Sequence, residues 1–291
     1  MKKTLVLLST IAMALTLSAC SDATANISDG NETLISVGSE KVTKEDVYQS
    51  LKANIGTATL AKLKAEVYKK EDIKETDEIK KQADEKLAQI KKQWGDNYEK
   101  QLKSEGFAND QELKEAYILP ALYQTELQKK YVTENKEALF KSYVPYKAQI
   151  FQADDETKAN DALNALKKGD KFSDVVKKYG TTSTYDGSEK VYTNQSGLPN
   201  EVFSAMSGAG KKGLVEKVIT STNTSTSVTS YYIVNLVETE PKNYEDEAIQ
   251  AIAETSTLAT EATKFYFKKY DMTIYDIDAY NSLKNSDLIV Q

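Results

Sequence analysis

One side chain near the start of the chain could carry covalent chemistry: the thiol of Cys20, the only cysteine among 291 residues. The segment before it has the layout of a secretory signal. It opens with two lysines, and its apolar stretch 4–16 is shorter than the roughly 20 residues that span a bilayer. A single thiol excludes an intramolecular disulfide, so the fold must depend on its core. We therefore interpret Cys20 as a modification site and residues 1–19 as a signal peptide.

The run Leu17-Ser18-Ala19-Cys20 resembles the lipobox of bacterial lipoproteins. In that family the cysteine thiol receives a diacylglyceryl group, and cleavage leaves the cysteine as the first residue. Stable anchoring takes two or more acyl chains, at about 0.8 kcal/mol per buried CH₂. The resemblance implies lipidation at Cys20 and a location at the extracellular face of the bacterial cell membrane. The small, polar residues that follow predict a flexible tether over 20–33.

The composition excludes several kinds of chemistry. All 38 basic residues are lysine, and the chain contains neither histidine nor arginine. Without histidine there is no Ser-His-Asp or Cys-His arrangement and no histidine-bearing metal site. Without arginine there is no bidentate recognition of phosphate or guanine, and the net charge of −6 opposes binding to nucleic acid. We therefore expect no metal, no cofactor and no nucleic-acid partner.

Residues 34–143 predict a helical region that begins with a short strand, Leu34–Val37. Thr43 is a candidate N-cap for the first helix, with Asp46 three residues further on, close to a capping box. The next long helix carries a narrow apolar stripe that recurs every three or four positions: Ile79, Ala83, Leu87, Ile90 and Trp94. Pro120 is expected to kink a later helix or to mark a boundary.

Residues 144–241 mix strand and helix signals and predict a compact α+β domain. A strand at Tyr146–Phe151 precedes a helix capped by Asp154 or Asp155 and closed by Gly169. After a second short helix, a loop is expected to run to Gly197.

Two closing strands are predicted for this domain, at 214–219 and 231–237. Helical signals return over 242–291. The predicted fold class is therefore α+β, with a discontinuous helical lobe and an α+β domain inserted into it.

Four stretches together resemble the PrsA-type foldase lipoproteins of Gram-positive bacteria, which are related to the SurA-type periplasmic chaperones. They are the opening 36–46, the strand Lys147–Phe151, the stretch Leu166–Ser173 and the strand Tyr231–Leu236. The resemblance covers nearly the whole mature chain, and the order and spacing of these stretches carry it together with the lipobox. It implies a parvulin-like domain at 144–241, inserted into a chaperone lobe formed by 34–143 and 242–291.

The chain departs from this family at the catalytic positions. Active parvulins carry a histidine in the first strand and another in the last, with an acidic or thiol group between them. The matching positions here hold Gln149, Tyr232 and Thr182, whose side chains could hydrogen-bond one another. Prolyl isomerisation faces a barrier of about 18–20 kcal/mol, which a polar cage around the twisted amide lowers. We therefore expect peptidyl-prolyl isomerase activity to be weak or absent.

The slot for the proline ring is a separate expectation. Leu198 with Val202 or Phe203 resembles the apolar wall that holds this ring in parvulins. The alternative is that these side chains form the core of a small domain. Both interpretations remain open at the level of sequence.

These features predict a membrane-tethered foldase that binds newly exported, unfolded polypeptides. Trp94, Tyr117 and Tyr123 are candidate client contacts and equally candidate core residues, and a homodimer is left open. One alternative is a catalytically active isomerase. A more distant one is a solute-binding lipoprotein of an ABC importer, which needs two lobes around parallel sheets. The scarcity of strand signals over 70–135 counts against it.

Overall fold

The computed structural model of the protein describes residues 24–53, 57–181 and 184–289. The predicted signal peptide 1–19, the predicted lipidation site Cys20 and the candidate site residue Thr182 lie outside the described residues. The chain divides into two compact units, one formed by Met1–Lys64 with Phe267–Gln291 and the other by Ala65–Tyr266. No helix among the described residues is long and apolar enough to cross a membrane.

The described residues up to Tyr143 form a β-hairpin followed by helices. The strands are β1 (Thr33–Val37) and β2 (Glu40–Thr43). The helices are α1 (Lys44–Ala53), α2 (Thr57–Lys70), α3 (Asp77–Trp94), α4 (Tyr98–Ser104), α5 (Asp110–Leu113), α6 (Leu119–Glu134) and α7 (Lys136–Tyr143).

From Tyr146 onward strands and helices mix, and three helices then end the chain. The mixed segment contains β3 (Tyr146–Ala153), α8 (Glu156–Lys167), α9 (Phe172–Tyr179), β4 (Asp186–Tyr192), α10 (Asn200–Ala209), β5 (Gly213–Leu214), β6 (Ile219–Thr222) and β7 (Thr229–Glu238). The last helices are α11 (Glu245–Ala253), α12 (Leu258–Lys269) and α13 (Ile277–Asn285).

In the unit formed by the two ends of the chain, the capping box predicted for α1 is confirmed. The backbone N–H of Asp46 donates to Oγ1 of Thr43 at 3.2 Å, and the N–H of Thr43 donates to Oδ2 of Asp46 at 2.7 Å. Each side chain thus satisfies a backbone donor that the first turn of a helix leaves without a partner. Helix α1 therefore begins directly where β2 ends.

A buried ion pair joins α1 to α13 in the same unit. Nζ of Lys52 lies 3.0 Å from Oδ2 of Asp276 and 3.3 Å from Oδ2 of Asp278. Asp276 also caps α13, because its Oδ1 accepts the N–H groups of Asp278 and Ala279. Its Oδ2 accepts the N–H of Ala25 at 2.8 Å. Ala25, within the segment predicted as a tether, is thus hydrogen-bonded to the start of α13.

In the other unit, the apolar stripe predicted for residues 79–94 is confirmed. Helix α3 begins after Thr76, whose Oγ1 accepts the N–H of Ile79 at 3.2 Å, and it ends at Gly95 with φ +52°. Ile79, Ala83 and Leu87 are buried. Ala83 and Leu87 share a core with residues of the following helices: Tyr98, Leu102, Leu113 and Ile118.

Pro120 marks a boundary, as predicted, and the boundary takes the form of a π turn. Residues Lys114–Ile118 form this turn between α5 and α6, and the N–H of Leu119 donates to the carbonyl of Lys114. Proline has no N–H group and cannot make the usual hydrogen bond to the carbonyl four residues earlier. The wider turn carries the chain past this missing bond and leaves Pro120 in the first turn of α6.

The α+β segment is built on an antiparallel sheet with the order β4-β3-β7-β5, and β6 pairs with β7 as well. Helices α8 and α9 cover one face, where Phe151 and Ile233 are buried. Helix α10 covers the other face, where Ile150, Val202 and Val234 are buried. The alternation of side chains along β3 and β7 therefore produces two separate cores.

Two strand predictions in this segment are wrong. The stretch 214–219 is not one strand, because β5 and β6 are separate and each pairs with a different part of β7. The expected loop up to Gly197 contains the whole of β4, paired with β3. This strand shows little apolar alternation because it lies at the sheet edge and exposes Asp186 and three further side chains: Ser188, Glu189 and Lys190.

The helices on either side of the α+β segment share one core. Ile252 and Leu258 pack with Val132 of α6, and Leu139 of α7 belongs to the same cluster. Nε2 of Gln128 donates to the carbonyl of Ala253 at 2.7 Å. The predicted α+β class, with helices from two parts of the chain around an inserted mixed segment, is confirmed.

Candidate functional site

The candidate site lies on the face of the sheet that α10 covers. Antiparallel pairing places Gln152 of β3 opposite Tyr232 of β7, and Ile150 opposite Val234. These side chains share one face because paired residues in a sheet point to the same side. Tyr232 is buried in this face together with Val202 and further apolar side chains.

Gln149 lies on the opposite face, away from Tyr232. Its register partner is Asn235, three residues beyond Tyr232, and the odd spacing reverses the side-chain direction. Oε1 of Gln149 accepts a hydrogen bond from Nδ2 of Asn235 at 2.9 Å. The hydrogen bond between Gln149 and Tyr232 that the sequence left possible is therefore not formed. The third expected member, Thr182, lies outside the described residues.

Two side chains that the sequence analysis missed surround Tyr232. The ring of Tyr185 meets the ring of Tyr232 edge-on, with centroids 5.5 Å apart at 88°. Burial, with a smaller contribution from Tyr232, raises the pKa of the Tyr185 hydroxyl. Nε2 of Gln152 donates to Oγ of Ser230 at 3.1 Å. Gln152 was identifiable only from the strand register, because it follows Gln149 by three residues and faces the other way.

The three predicted wall residues differ in their access to solvent. Val202 is fully buried on the inner face of α10, whereas Leu198 and Phe203 are half-buried. Leu198 packs at the edge of the same core. The ring of Phe203 lies 6.0 Å from that of Tyr146, which the sequence analysis also missed. Of the three, only Leu198 and Phe203 present surface to a ligand. Val202 acts as core.

The polar groups described near this face include the side chains of Gln152, Ser221, Ser230 and Glu201. Oγ of Ser221 donates to Oε2 of Glu201 at 2.8 Å, near the start of α10. The pKa of Glu201 is lowered by a hydrogen bond from its own backbone N–H and by this bond from Ser221. Such groups orient a peptide by hydrogen bonding. Among the described residues, no cluster of three or more Asp, Glu, Cys or His side chains is placed to hold a metal ion.

The candidate client contacts in the helices lie in three different environments. Trp94 packs on the α3 core, with its ring 5.7 Å from that of Tyr98. Tyr117 is exposed. Tyr123 lines a pocket beside the end of α2. The structure therefore does not bring these three residues together as one surface.

Comparison with known proteins finds sequence similarity to PrsA foldases over most of the chain. No family model matches it. The foldase protein PrsA of Streptococcus pneumoniae (strain CGSP14) is 27% identical over 252 residues, which cover 83% of this chain and 78% of the relative. PrsA of strain Hungary19A-6 shows the same identity and coverage.

Solved structures of foldases also resemble the chain. The crystal structure of PrsA from Streptococcus pneumoniae Canada MDR_19A has a TM-score of 0.49 at 24% identity, and it covers 86% of this chain and 98% of that one. PrsA from Bacillus subtilis has a TM-score of 0.42 at 22% identity, with 88% and 99% covered.

The described fold defines an α+β protein in which helices precede and follow a mixed segment along the chain. Its sequence is related to PrsA over most of the length of both chains. The chain is homologous to the PrsA foldases.

Proposed function

We propose that this protein is a membrane-anchored, extracytoplasmic foldase that binds newly exported polypeptides and assists their folding. The observation that carries the proposal is the sequence relation to foldase protein PrsA over 83% of the chain. The lipobox-like run that ends at Cys20 supports the anchor and the extracytoplasmic location. The proposed anatomy is a tether at 20–33, a helical chaperone lobe at 34–143 and 242–291, and a parvulin-like domain at 144–241.

The proposed isomerase activity is weak or absent. A cage that favours the twisted prolyl amide needs polar groups aimed at one point. Gln149 and Tyr232 lie on opposite faces of the sheet, and the amide of Gln149 is already bonded to Asn235. Leu198 and Phe203 remain the proposed contacts for an apolar group of the client. The separation of the polar residues, together with two accessible apolar side chains, supports binding of clients without catalysis.

A paired measurement tests both parts of the proposal. The mature protein is added to a chemically unfolded secreted protein, and light scattering reports aggregation while recovered activity reports folding. A protease-coupled assay on an Xaa-Pro peptide measures isomerisation with the same sample. We expect suppressed aggregation with little or no isomerase rate above the uncatalysed one.

Substitutions separate the two outcomes. Because the proposed client contacts are Leu198 and Phe203, and not Gln149 or the hydroxyl of buried Tyr232, Gln149→Ala and Tyr232→Phe should both leave client protection intact. A substantial isomerase rate that either substitution abolishes would refute the proposed lack of catalysis. No protection of several unrelated secreted clients would refute the foldase itself.

The solute-binding alternative receives no support from the fold. Among the described residues, the segment from α3 to α6 contains no strand. The sheet of the mixed segment is antiparallel. Two lobes around parallel sheets are what that class requires.

A further inference from the structure

A pocket of about 390 Å³ opens between the end of α2 and the face of α6, outside the candidate site described above. Its lining is mostly uncharged at the base and charged at the rim. The residues are Ala65, Tyr68, Lys69, Asp72, Ile73, Lys74 and Tyr123. This volume lies at the low end of the roughly 300–1,000 Å³ that ligand pockets occupy. It is large enough to hold one large side chain.

The way α2 ends builds one wall of the pocket. Asp72 adopts the left-handed conformation, with φ +53°. The N–H of Ile73 donates to the carbonyl of Tyr68 at 2.8 Å, and the N–H of Asp72 donates to that of Lys69 at 3.2 Å. These two bonds form a Schellman motif, which commonly brings the residue after the turn against the last turn of the helix. Buried Ile73 and Tyr68 therefore line the same side of the pocket.

Contacts between the end of α2 and α6 hold the walls of the pocket in place. The rings of Tyr68 and Tyr123 meet edge-on, with centroids 5.9 Å apart. The hydroxyl of Tyr68 donates to Oε1 of Gln124 at 3.1 Å. Buried Glu71 lies 3.4 Å from Nζ of Lys130 and so ties the end of α2 to α6. The pocket is thus preformed, which reduces the entropy that binding would cost.

The charges at the rim favour an uncharged occupant. Nζ of Lys74 pairs with Oδ1 of Asp72 at 2.9 Å. Burial, with a smaller contribution from the charge of Glu75, raises the pKa of Tyr123. Positive and negative groups therefore surround the opening together, whereas the base offers two aromatic rings and an aliphatic side chain. Aromatic and aliphatic groups gain from burial against such a base.

We propose that this pocket binds a single apolar or aromatic side chain of an extended, unfolded polypeptide. That the partner is an unfolded polypeptide rests on the proposed function. The pocket itself would give the helical part of the chain a contact that distinguishes clients by the side chain they present. Phenylalanine should bind best, leucine less well, and serine or aspartate least.

Host–guest peptides test this order. A set of otherwise identical Gly/Ser peptides carries 4-fluorophenylalanine, leucine, serine or aspartate at one central position. Binding of the fluorinated peptide to the full mature protein is titrated by ¹⁹F NMR, and the other peptides compete with it. We expect the phenylalanine peptide to bind at least tenfold more tightly than the serine peptide.

Filling the pocket provides the decisive variant. Ala65 is an exposed residue of α2 that lines the pocket, so Ala65→Phe should occupy it without disturbing a core. We expect this substitution to weaken binding of the fluorinated peptide at least tenfold. Glu66→Phe adds the same ring at the adjacent exposed position, which does not line the pocket, and should leave binding unchanged. Circular dichroism and thermal unfolding verify that both variants remain folded.

Each contrary outcome overturns the assignment in a recognisable way. Equal binding to the unsubstituted protein and to Ala65→Phe would exclude this pocket. Equally tight binding of free N-acetyl-phenylalanine amide would identify a small-molecule site instead. Self-association that Ala65→Phe abolishes would identify a second copy as the occupant. In all three cases, client protection by the unsubstituted protein is measured separately. Failure of the pocket proposal can therefore be told apart from failure of the foldase proposal.

Discussion

The substitution Gly187→Ala tests the position of β4, the strand that the sequence analysis missed. Gly187 is buried, has φ +75° and lies against α9. A Cβ atom added there would lie well inside contact distance of Cγ2 of Val176, with Cγ1 at 3.2 Å and Cβ at 3.3 Å. Alanine at this position therefore meets two costs, one from its backbone conformation and one from overpacking.

The magnitude follows from these two costs. The left-handed conformation costs a non-glycine residue about 1–2 kcal/mol, and overpacking adds about 1–3 kcal/mol. Alanine lowers the entropy of the unfolded chain, which offsets about 0.4–1 kcal/mol. We expect Gly187→Ala to lower the free energy of unfolding by about 1–5 kcal/mol, centred near 3 kcal/mol, from these costs and this offset.

Gly197→Ala is the matched control. Gly197 has a similar φ of +69°, but nothing lies within 4 Å of its added Cβ. It should therefore show the conformational cost alone, about 1 kcal/mol after the unfolded-state offset. Urea unfolding followed by circular dichroism gives the free energy of unfolding of each variant. The transition to compare is the one in which the unit that contains the sheet unfolds.

A double substitution identifies the contact responsible. Val176→Ala removes both γ-methyl groups, so that of the three close atoms only Cβ, at 3.3 Å, remains against the new methyl group. The combined variant should therefore be destabilised by clearly less than the sum of the two single effects. If Gly187→Ala costs no more than Gly197→Ala, or if Val176→Ala brings no relief, the packing of β4 against α9 is refuted.

Three further predictions concern the wall, the end unit and the anchor. Val202→Ala should destabilise the fold by about 2 kcal/mol, because it removes buried methyl groups and leaves a cavity. Phe203→Ala should cost less stability and weaken client binding more; urea unfolding and peptide titration together check the pair, and the reverse order would place Val202 in the site. Burial would raise the pKa of Asp276, but the N–H groups of Ala25 and Ala279 and the charge of Lys52 outweigh it and lower the pKa to about 2. A lowered pKa contributes stability that is fully present above the unfolded value near 4 and lost as the pH falls towards 2. Asp276→Asn should therefore lower Tm at neutral pH and reduce the loss of Tm between pH 4 and pH 2, whereas an unchanged acid profile would argue against the ion pair. Cys20→Ala should leave the thermal unfolding curve unchanged and move the protein from the membrane fraction to the medium; retention in membranes would contradict the lipid anchor.

Local features of this fold follow from residue types that act within a few positions. The capping box of Thr43 and Asp46, the N-cap of Asp155 and the left-handed Gly169 after α8 all appear as predicted. Each depends on backbone groups three or four residues away, so neighbouring residues are sufficient to specify it. The apolar stripe of α3 is equally local in origin, because helical periodicity alone selects the buried face.

The face on which a strand residue lies depends on pairing with distant parts of the chain. Gln149 and Tyr232 both stand at positions that match the histidines of active parvulins. The register of β3 and β7 nevertheless places their side chains on opposite faces of the sheet. A shift of one residue in that register would reverse the result. Strand β4 was not predicted for a related reason. An edge strand can expose most of its side chains, and β4 is held in the sheet by backbone hydrogen bonds to β3.

The sequence by itself determined the fold class, the helix caps and the resemblance to foldases, because these depend on local periodicity, on capping chemistry and on motifs read in order. Only the tertiary structure separated Gln149 from Tyr232, buried Val202 and placed Tyr68 beside Tyr123. Such placements depend on which elements pack together, and packing is decided by contacts between residues that are far apart in the chain.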